Sequence, residues 1–166
     1  NTFTLGRADY QRQYEPILYG WPEGGERHWC GDRDQGDVWQ IKKPQKNDLH
    51  PTMKPVELVE RAIRNSSRPG DVVLDPFGGS GSTLIAAEKS GRRARLIELD
   101  PKYVDVIVRR WQDYAGAQAI RQSDGVAFDT LSVGGELRQE IAAGDVGHVE
   151  DVAELAGVVG EVDTAD

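Results

Sequence analysis

An α/β fold built on a parallel sheet is the architecture that this sequence predicts, and three features predict it. A short apolar strand, Val72–Asp75, runs into an acidic residue and a glycine-rich turn. That turn opens directly into a helix, Ser80–Ser90, which Gly91 closes. A second strand, Ala94–Leu99, then leads into a second helix starting at Asp100 and Pro101. Strand–helix–strand–helix is the grammar of a doubly wound sheet, because parallel neighbours must be joined by a crossover.

The upstream elements follow from composition and spacing. Residues 13–20, Gln-Tyr-Glu-Pro-Ile-Leu-Tyr-Gly, read as a strand ended by a tight turn around Pro22 to Gly25. Residues 21–37 are rich in Gly, Asp and Trp and read as a loop, Val38–Ile41 as a short strand, and 42–46 as a basic linker. The segment His50-Pro51-Thr52-Met53-Lys54-Pro55 leads into a helix whose Val56, Val59, Ala62 and Ile63 recur at helical spacing. Pro55 suits the first turn, where a missing N–H costs nothing. Ser66, Ser67, Pro69 and Gly70 end that helix. In the last helix Asp100 is the expected N-cap and Pro101 the first helical residue. Val104, Ile107, Val108 and Trp111 give it a buried stripe, and Gly116 closes it.

The formal charge of −8 is unevenly distributed. Residues 122–166 hold 11 of the 28 acidic side chains and one of the 20 basic ones, whereas residues 1–121 carry a net +2. The acidity therefore belongs to a tail, and the remainder is compatible with a nucleic-acid partner without requiring one. Glu136–Ala143 and Val149–Ala156 have the composition of short helices, but the balance of Gly, Ala and acids predicts a weakly ordered tail. The expected division is a folded portion at 1–121 and an acidic tail at 122–166. The single cysteine, Cys30, excludes a disulfide framework and fits a reducing cytoplasm. No apolar run is long enough to span a membrane and no signal segment is visible.

Three ligand classes compete for the turn at 75–83. A phosphate-cradling loop needs a lysine before its Ser/Thr, and Gly78 to Thr83 contains none. A dinucleotide fingerprint needs a third small residue where this chain has Leu84. S-adenosyl-L-methionine fits better. Asp75 at the strand end can pair with its ammonium, and Gly79 and Gly81 let the backbone come close. The N–H groups that begin the following helix can face its carboxylate. Glu98 ends the next strand 23 residues later, where an acid can take both ribose hydroxyls.

Taken together, the motifs resemble the amino-methylating DNA methyltransferases that modify adenine N6 or cytosine N4. The subgroup is the permuted, beta-type one, whose catalytic half precedes the cofactor half. Asp75-Pro76-Phe77-Gly78-Gly79-Ser80-Gly81-Ser82 resembles its cofactor motif, and His50-Pro51-Thr52-Met53-Lys54-Pro55 the segment that closes over the methionine end. Ile97-Glu98-Leu99-Asp100-Pro101-Lys102-Tyr103 is similar to its ribose-binding strand end. Gln13–Tyr19, with Tyr14-Glu15, matches more loosely a hairpin near the target base.

The resemblance covers roughly residues 10–116 and implies a partial Rossmann-like, S-adenosylmethionine-dependent methyltransferase fold with a βαβ cofactor half. It implies His50, Thr52, Lys54, Asp75, Pro76, Phe77, Gly78, Gly79, Ser80, Gly81, Ser82 and Glu98 as cofactor-binding residues. Double-stranded DNA is the implied partner, in a bacterial or phage restriction-modification setting in the cytoplasm, with adenine N6 favoured over cytosine N4. A homodimer is one option for the assembly.

The family's Asp/Asn-Pro-Pro-aromatic motif, which orients the target amine and stacks on the flipped base, does not occur here. Asp100-Pro101-Lys102-Tyr103 only mimics it: the third residue is lysine, and the Asp-Pro pair already serves as helix cap. The permuted order puts the real motif upstream of Asn1, so the expectation is a chain that starts in mid-domain and is incomplete or inactive alone. The catalytic residues are therefore unassigned. The rival readings are an RNA or protein methyltransferase and a degenerate module that binds cofactor or DNA without transfer. His28, Cys30 and Asp32 lack a second ligand pair, so no metal is expected. Lys42, Lys43 and Lys46 suit either DNA phosphates or a solvated linker. Trp21, Trp29 and Trp39 are left open between packing and a base-facing wall, and Trp111 is expected in the core.

Overall fold

The computed structural model describes residues 7, 9–11, 13–42 and 53–132. His50, Thr52, Lys43, Lys46 and the candidate helices at 136–143 and 149–156 lie outside the described residues. The element order is α1 (Val56–Ser66), β1 (Val72–Asp75), α2 (Ser82–Ser90), β2 (Arg93–Leu96), α3 (Pro101–Ala115) and α4 (Phe128–Ser132). β1 and β2 pair in parallel, in the register Val72↔Arg93 through Asp75↔Leu96. The expected βαβ unit is thus formed, with α2 as its crossover.

Sequence and spacing explain the helix ends. The α1 helix starts one residue after Pro55, whose extended ψ of 133° makes it the N-cap rather than a helical residue. The Ser67 hydroxyl donates to the Ile63 carbonyl at 2.6 Å and ends the helix. At α3 the Asp100 carboxylate accepts the Lys102 N–H at 2.9 Å, and Gly116 closes the helix in the left-handed conformation. Asp100-Pro101 is therefore a helix start. Gly91 likewise closes α2 at φ +71°.

Two apolar clusters hold the layers together. Leu84 and Ile85 of α2 meet Ile107 and Trp111 of α3, while Ile63 of α1 meets Ala86 and Ala87. The two alanines are completely buried, and their small side chains let α1 and α2 approach closely. Trp111 is buried as expected, and its indole N–H donates to Glu88. Residues 122–132 continue the folded chain. Phe128 is buried under Arg109, and Gln112 donates to Asp129 at 3.0 Å.

Several expectations need correction. Residues 13–20 form no strand, because no described segment runs alongside them and an unpaired strand is not stable in water. Leu18 in that segment is 98% exposed. The Pro22–Gly25 turn is present, with the Gly25 N–H donating to the Pro22 carbonyl at 3.0 Å. Val38–Ile41 is not a strand either; its Trp39 is held by the Arg61 guanidinium at 4.6 Å and by a bond from its indole to the Gly36 carbonyl. The second strand spans Arg93–Leu96 rather than 94–99. Ile97 still donates to the Asp75 carbonyl at 2.9 Å, but the Phe77 N–H then turns to the Asp75 carboxylate and the Ile97 carbonyl takes the Gly78 N–H instead, so the ladder stops. The α2 helix begins at Ser82, not Ser80, because Gly81 at φ +78° cannot be helical.

Candidate cofactor site

The site lies at the carboxyl ends of β1 and β2, where a parallel sheet leaves a crevice beside a helix start. At Asp75 one carboxylate oxygen accepts the Phe77 N–H at 3.0 Å and the other accepts the Thr83 hydroxyl at 2.6 Å. An ionised carboxylate has about four lone-pair positions, so a ligand ammonium still finds acceptors there. Phe77 projects from the turn and is 85% exposed. The Gly78 N–H then donates to the Ile97 carbonyl at 2.8 Å, which ties the turn to the chain leaving β2.

Glu98 reaches back across the strand ends. One of its oxygens accepts the Gly79 N–H at 2.7 Å and the other the Asp100 N–H at 3.0 Å. The acid expected to meet a ribose is therefore also a fixed brace for the glycine turn, with both oxygens oriented and neither exhausted as an acceptor.

The glycines divide their work. A Cβ at Gly81 would lie 3.1 Å from Ile107 Cγ2 and 3.3 Å from its Cα, so this residue lets α3 close against the turn. Gly78 is similarly confined, with Ile107 Cδ1 2.9 Å from a Cβ position. Gly79, at φ +56°, meets only the Phe77 carbonyl at 3.8 Å and borders open space. Of the expected close approaches to a ligand, Gly79 has the space for one, whereas Gly81 is occupied with packing.

The α2 helix starts beside these groups. Its first-turn N–H groups have no acceptor within the helix and carry the positive end of its dipole. The Ser82 hydroxyl donates to the Lys54 carbonyl at 2.7 Å, which anchors the segment preceding α1 to the turn. The Lys54 ammonium pairs with Glu15, so the loosely matched Tyr14-Glu15 segment is brought to this side of the molecule.

Two further residues escaped the sequence reading. Thr83 orients Asp75, and Arg110 donates to the Ser80 carbonyl at 2.8 Å, with the Ser80 and Ser82 hydroxyls at 3.4 and 3.3 Å. Burial pushes the Arg110 guanidinium below its usual basicity. The only signal for Arg110 was a basic residue beside the apolar stripe of α3. Away from the site, His28 Nε2 and Cys30 Sγ stand 3.2 Å apart. No group of three or more metal-ligating side chains occurs among the described residues, and none of their helices is long and apolar enough to cross a membrane.

An α/β unit with two braced carboxylates at adjacent parallel strand ends, flanking a glycine turn and a helix start, is the arrangement in which open α/β sheets place their ligand crevices. The family model for DNA methylases of the N6/N4 type matches residues 9–109, and the chain belongs to that family. It is 36% identical over 99 residues to the type II methyltransferase M.Cfr9I of Citrobacter freundii, a match covering 59% of this chain and 33% of the relative. It is 42% identical over 79 residues to the DNA adenine methyltransferase YhdJ of Escherichia coli K12, covering 45% and 27%. A crystal structure of the M1.HpyAVI–SAM complex is 30% identical and aligns with a TM-score of 0.44, covering 50% of this chain and 44% of that one. The chain thus spans a third or less of the length of these two curated relatives.

Proposed function

We propose that this chain is the cofactor-binding part of a DNA amino-methyltransferase that uses S-adenosyl-L-methionine and acts on double-stranded DNA. The observation that carries the reading is the pair Asp75 and Glu98. They are carboxylates at adjacent parallel strand ends, one bonded to Phe77 and Thr83 and the other to Gly79 and Asp100, and each is left with acceptor capacity. Bound there, S-adenosyl-L-methionine would supply an electrophilic methyl group on a sulfonium.

The residues divide the binding task by charge. Asp75 holds the amino-acid ammonium and Glu98 the ribose hydroxyls, and the first-turn N–H groups of α2 face the carboxylate. Pro76, Phe77, Gly78, Gly79, Ser80, Gly81 and Ser82 would line the wall of the cofactor pocket. The family resemblance would add His50, Thr52 and Lys54 at the methionine end. The sequence contains no Pro-Pro pair, so no Asp/Asn-Pro-Pro-aromatic motif stands in residues 1–166. The reaction is a direct displacement, which depends on positioning and water exclusion around a nitrogen lone pair.

The same reading includes adenine N6 ahead of cytosine N4 as target, a methyltransferase portion whose boundary with the acidic tail moves from 121 to the end of α4 at Ser132, and a cytoplasmic, restriction-modification setting. Calorimetry with S-adenosyl-L-methionine tests it on the chain as it stands. Binding by the wild type and its loss in Asp75→Ala and Glu98→Ala are expected. Equal binding by all three would remove the pocket assignment. Methyl transfer to unmodified duplex DNA, by this chain together with a segment carrying Asp/Asn-Pro-Pro-aromatic, tests the substrate.

A further inference from the structure

The helix α3 reaches the glycine turn at two points on one face. Ile107 packs under Gly78 and Gly81, and Arg110, at i+3 spacing and so on the same side, extends to the turn itself. Its guanidinium donates to the Ser80 carbonyl at 2.8 Å and lies 3.4 and 3.3 Å from the Ser80 and Ser82 hydroxyls. The side chain is half-buried, and among the described residues no ion pair engages it. A planar guanidinium can bridge several acceptors in a fixed geometry, which an ammonium on a flexible stem cannot.

The turn is pinned peptide by peptide. The Gly78 N–H donates to the Ile97 carbonyl at 2.8 Å and the Gly79 N–H to Glu98 at 2.7 Å. The Ser80–Gly81 peptide is held at both ends. Its N–H, on Gly81, donates to the Gly78 carbonyl at 2.9 Å, and its carbonyl, on Ser80, accepts from Arg110. Between these lies the Gly79–Ser80 peptide. Among the described residues neither its Gly79 carbonyl nor its Ser80 N–H has a partner, and Gly79 borders open space. Ser80 is buried, and buried backbone groups are nearly always paired, so a free peptide here suits the hydrogen-bonding groups of a ligand. The Ser82 hydroxyl beside Arg110 also donates to the Lys54 carbonyl, which extends the same network to the segment before α1.

We propose that Arg110 is a positioning residue for the amino-acid end of the cofactor. It acts through the Ser80–Gly81 peptide and the Ser80 and Ser82 hydroxyls, which fix the free Gly79–Ser80 peptide and the start of α2 toward the ligand. The proposal deepens the reading of S-adenosyl-L-methionine as ligand and rests on it. A peptide held at both ends needs no reordering when the ligand arrives, and such preorganisation shows as affinity. The ribose falls to Glu98, whose oxygens engage Gly79 and Asp100 and not Arg110, so the effect belongs to the amino-acid end.

The test is calorimetry of the full chain with two ligands, the weaker one measured by displacement of the stronger. They are S-adenosyl-L-methionine and methylthioadenosine, which keeps the nucleoside and the sulfur but lacks the amino-acid group. Arg110→Met, which removes the donors and keeps an apolar stem, should weaken the first ligand about tenfold, as expected for a lost hydrogen bond from a charged group. It should weaken the second less than about twofold, within the spread of a neutral surface change. Arg110→Lys keeps the charge and can reach one acceptor, so its loss should fall between those of Arg110→Met and the wild type, again larger for S-adenosyl-L-methionine. Wild-type affinity for S-adenosyl-L-methionine in Arg110→Met overturns the proposal and leaves the cofactor site standing. Equal losses for the two ligands overturn it as well, because Arg110 then serves the fold alone. If Arg110→Met lacks the native circular dichroism spectrum, the lysine variant decides by the same comparison. A wild-type chain that binds neither ligand removes the cofactor reading and this proposal with it.

Discussion

Gly79 and Gly81 both have positive φ and lie two residues apart, yet alanine at each should fail for a different reason. At Gly81, φ is +78° and an added Cβ meets the Ile107 side chain at 3.1 Å and its Cα at 3.3 Å. The left-handed conformation costs a non-glycine residue roughly 1–2 kcal/mol. Crowding against backbone that cannot swing away adds about 1–3 kcal/mol. Gly81→Ala should therefore lose about 2–5 kcal/mol, which for a urea m-value near 2 kcal/mol/M lowers the midpoint by about 1–2.5 M. At Gly79 the nearest atom is 3.8 Å away, so only the conformational cost of roughly 1–2 kcal/mol remains, a shift of about 0.5–1 M. Its new methyl group would project into the space assigned to the cofactor. Urea unfolding followed by circular dichroism, paired with calorimetry, separates the two: Gly81→Ala fails first in stability and Gly79→Ala first in binding. Equal midpoints, or a larger loss at Gly79, would refute the division of labour between the glycines.

Three other outcomes follow from the same contacts. Thr83→Val removes the hydroxyl that orients Asp75 and should weaken cofactor binding several-fold, with a stability loss of about 1.5–3 kcal/mol for a hydrogen bond to a charged group; unchanged affinity by calorimetry would mean that Asp75 needs no orientation. Trp111→Ala empties the contact between α2 and α3 and should cost about 3–5 kcal/mol in chemical denaturation. Glu60 should make stability sensitive to acid. Burial pushes its carboxyl up, but hydrogen bonds from Lys89 and Arg64 outweigh this and hold it below the ordinary value of 4.5. A depressed carboxylate stabilises the fold above that value and ceases to do so as pH falls through its lowered one. Thermal melts from neutral pH to below 4 should therefore fall less steeply for Glu60→Gln than for the wild type.

What the sequence revealed depended on how local the cause was. β1 was readable to the residue, because Val72–Asp75 is bounded by Gly70 and Pro76. The caps at Asp100, Gly91 and Gly116 were readable because each is set by one residue's own conformational preference. Residues 13–20 and 38–41 were misread for the opposite reason. Alternation of apolar and polar side chains specifies a strand only where a neighbour supplies the ladder, and no neighbour is present among the described residues. The two carboxylates of the site were visible as strand-end acids at a telling separation. The contacts that fix Asp75 and the turn were not, since Thr83 is eight residues from Asp75 and Arg110 is thirty from Ser80. Only the folded turn brings them together.

The braces also explain why cofactor binding and folding should be linked here. Glu98 accepts the Gly79 N–H, Asp75 accepts the Thr83 hydroxyl, and Ser82 donates to the Lys54 carbonyl. The groups proposed to hold the ligand are thus the same groups that tie β2, α2 and the segment before α1 to one turn. A ligand that engages the remaining lone pairs of both carboxylates would lock three chain segments at once. By mass action, a ligand at a hundred times its dissociation constant adds about 2.7 kcal/mol of stability. Because the shared groups are braces, that gain should appear as slowed hydrogen exchange at Gly79 and Asp100, whose N–H groups both end on Glu98. Protection confined to α1, with Gly79 and Asp100 unchanged, would place the ligand elsewhere.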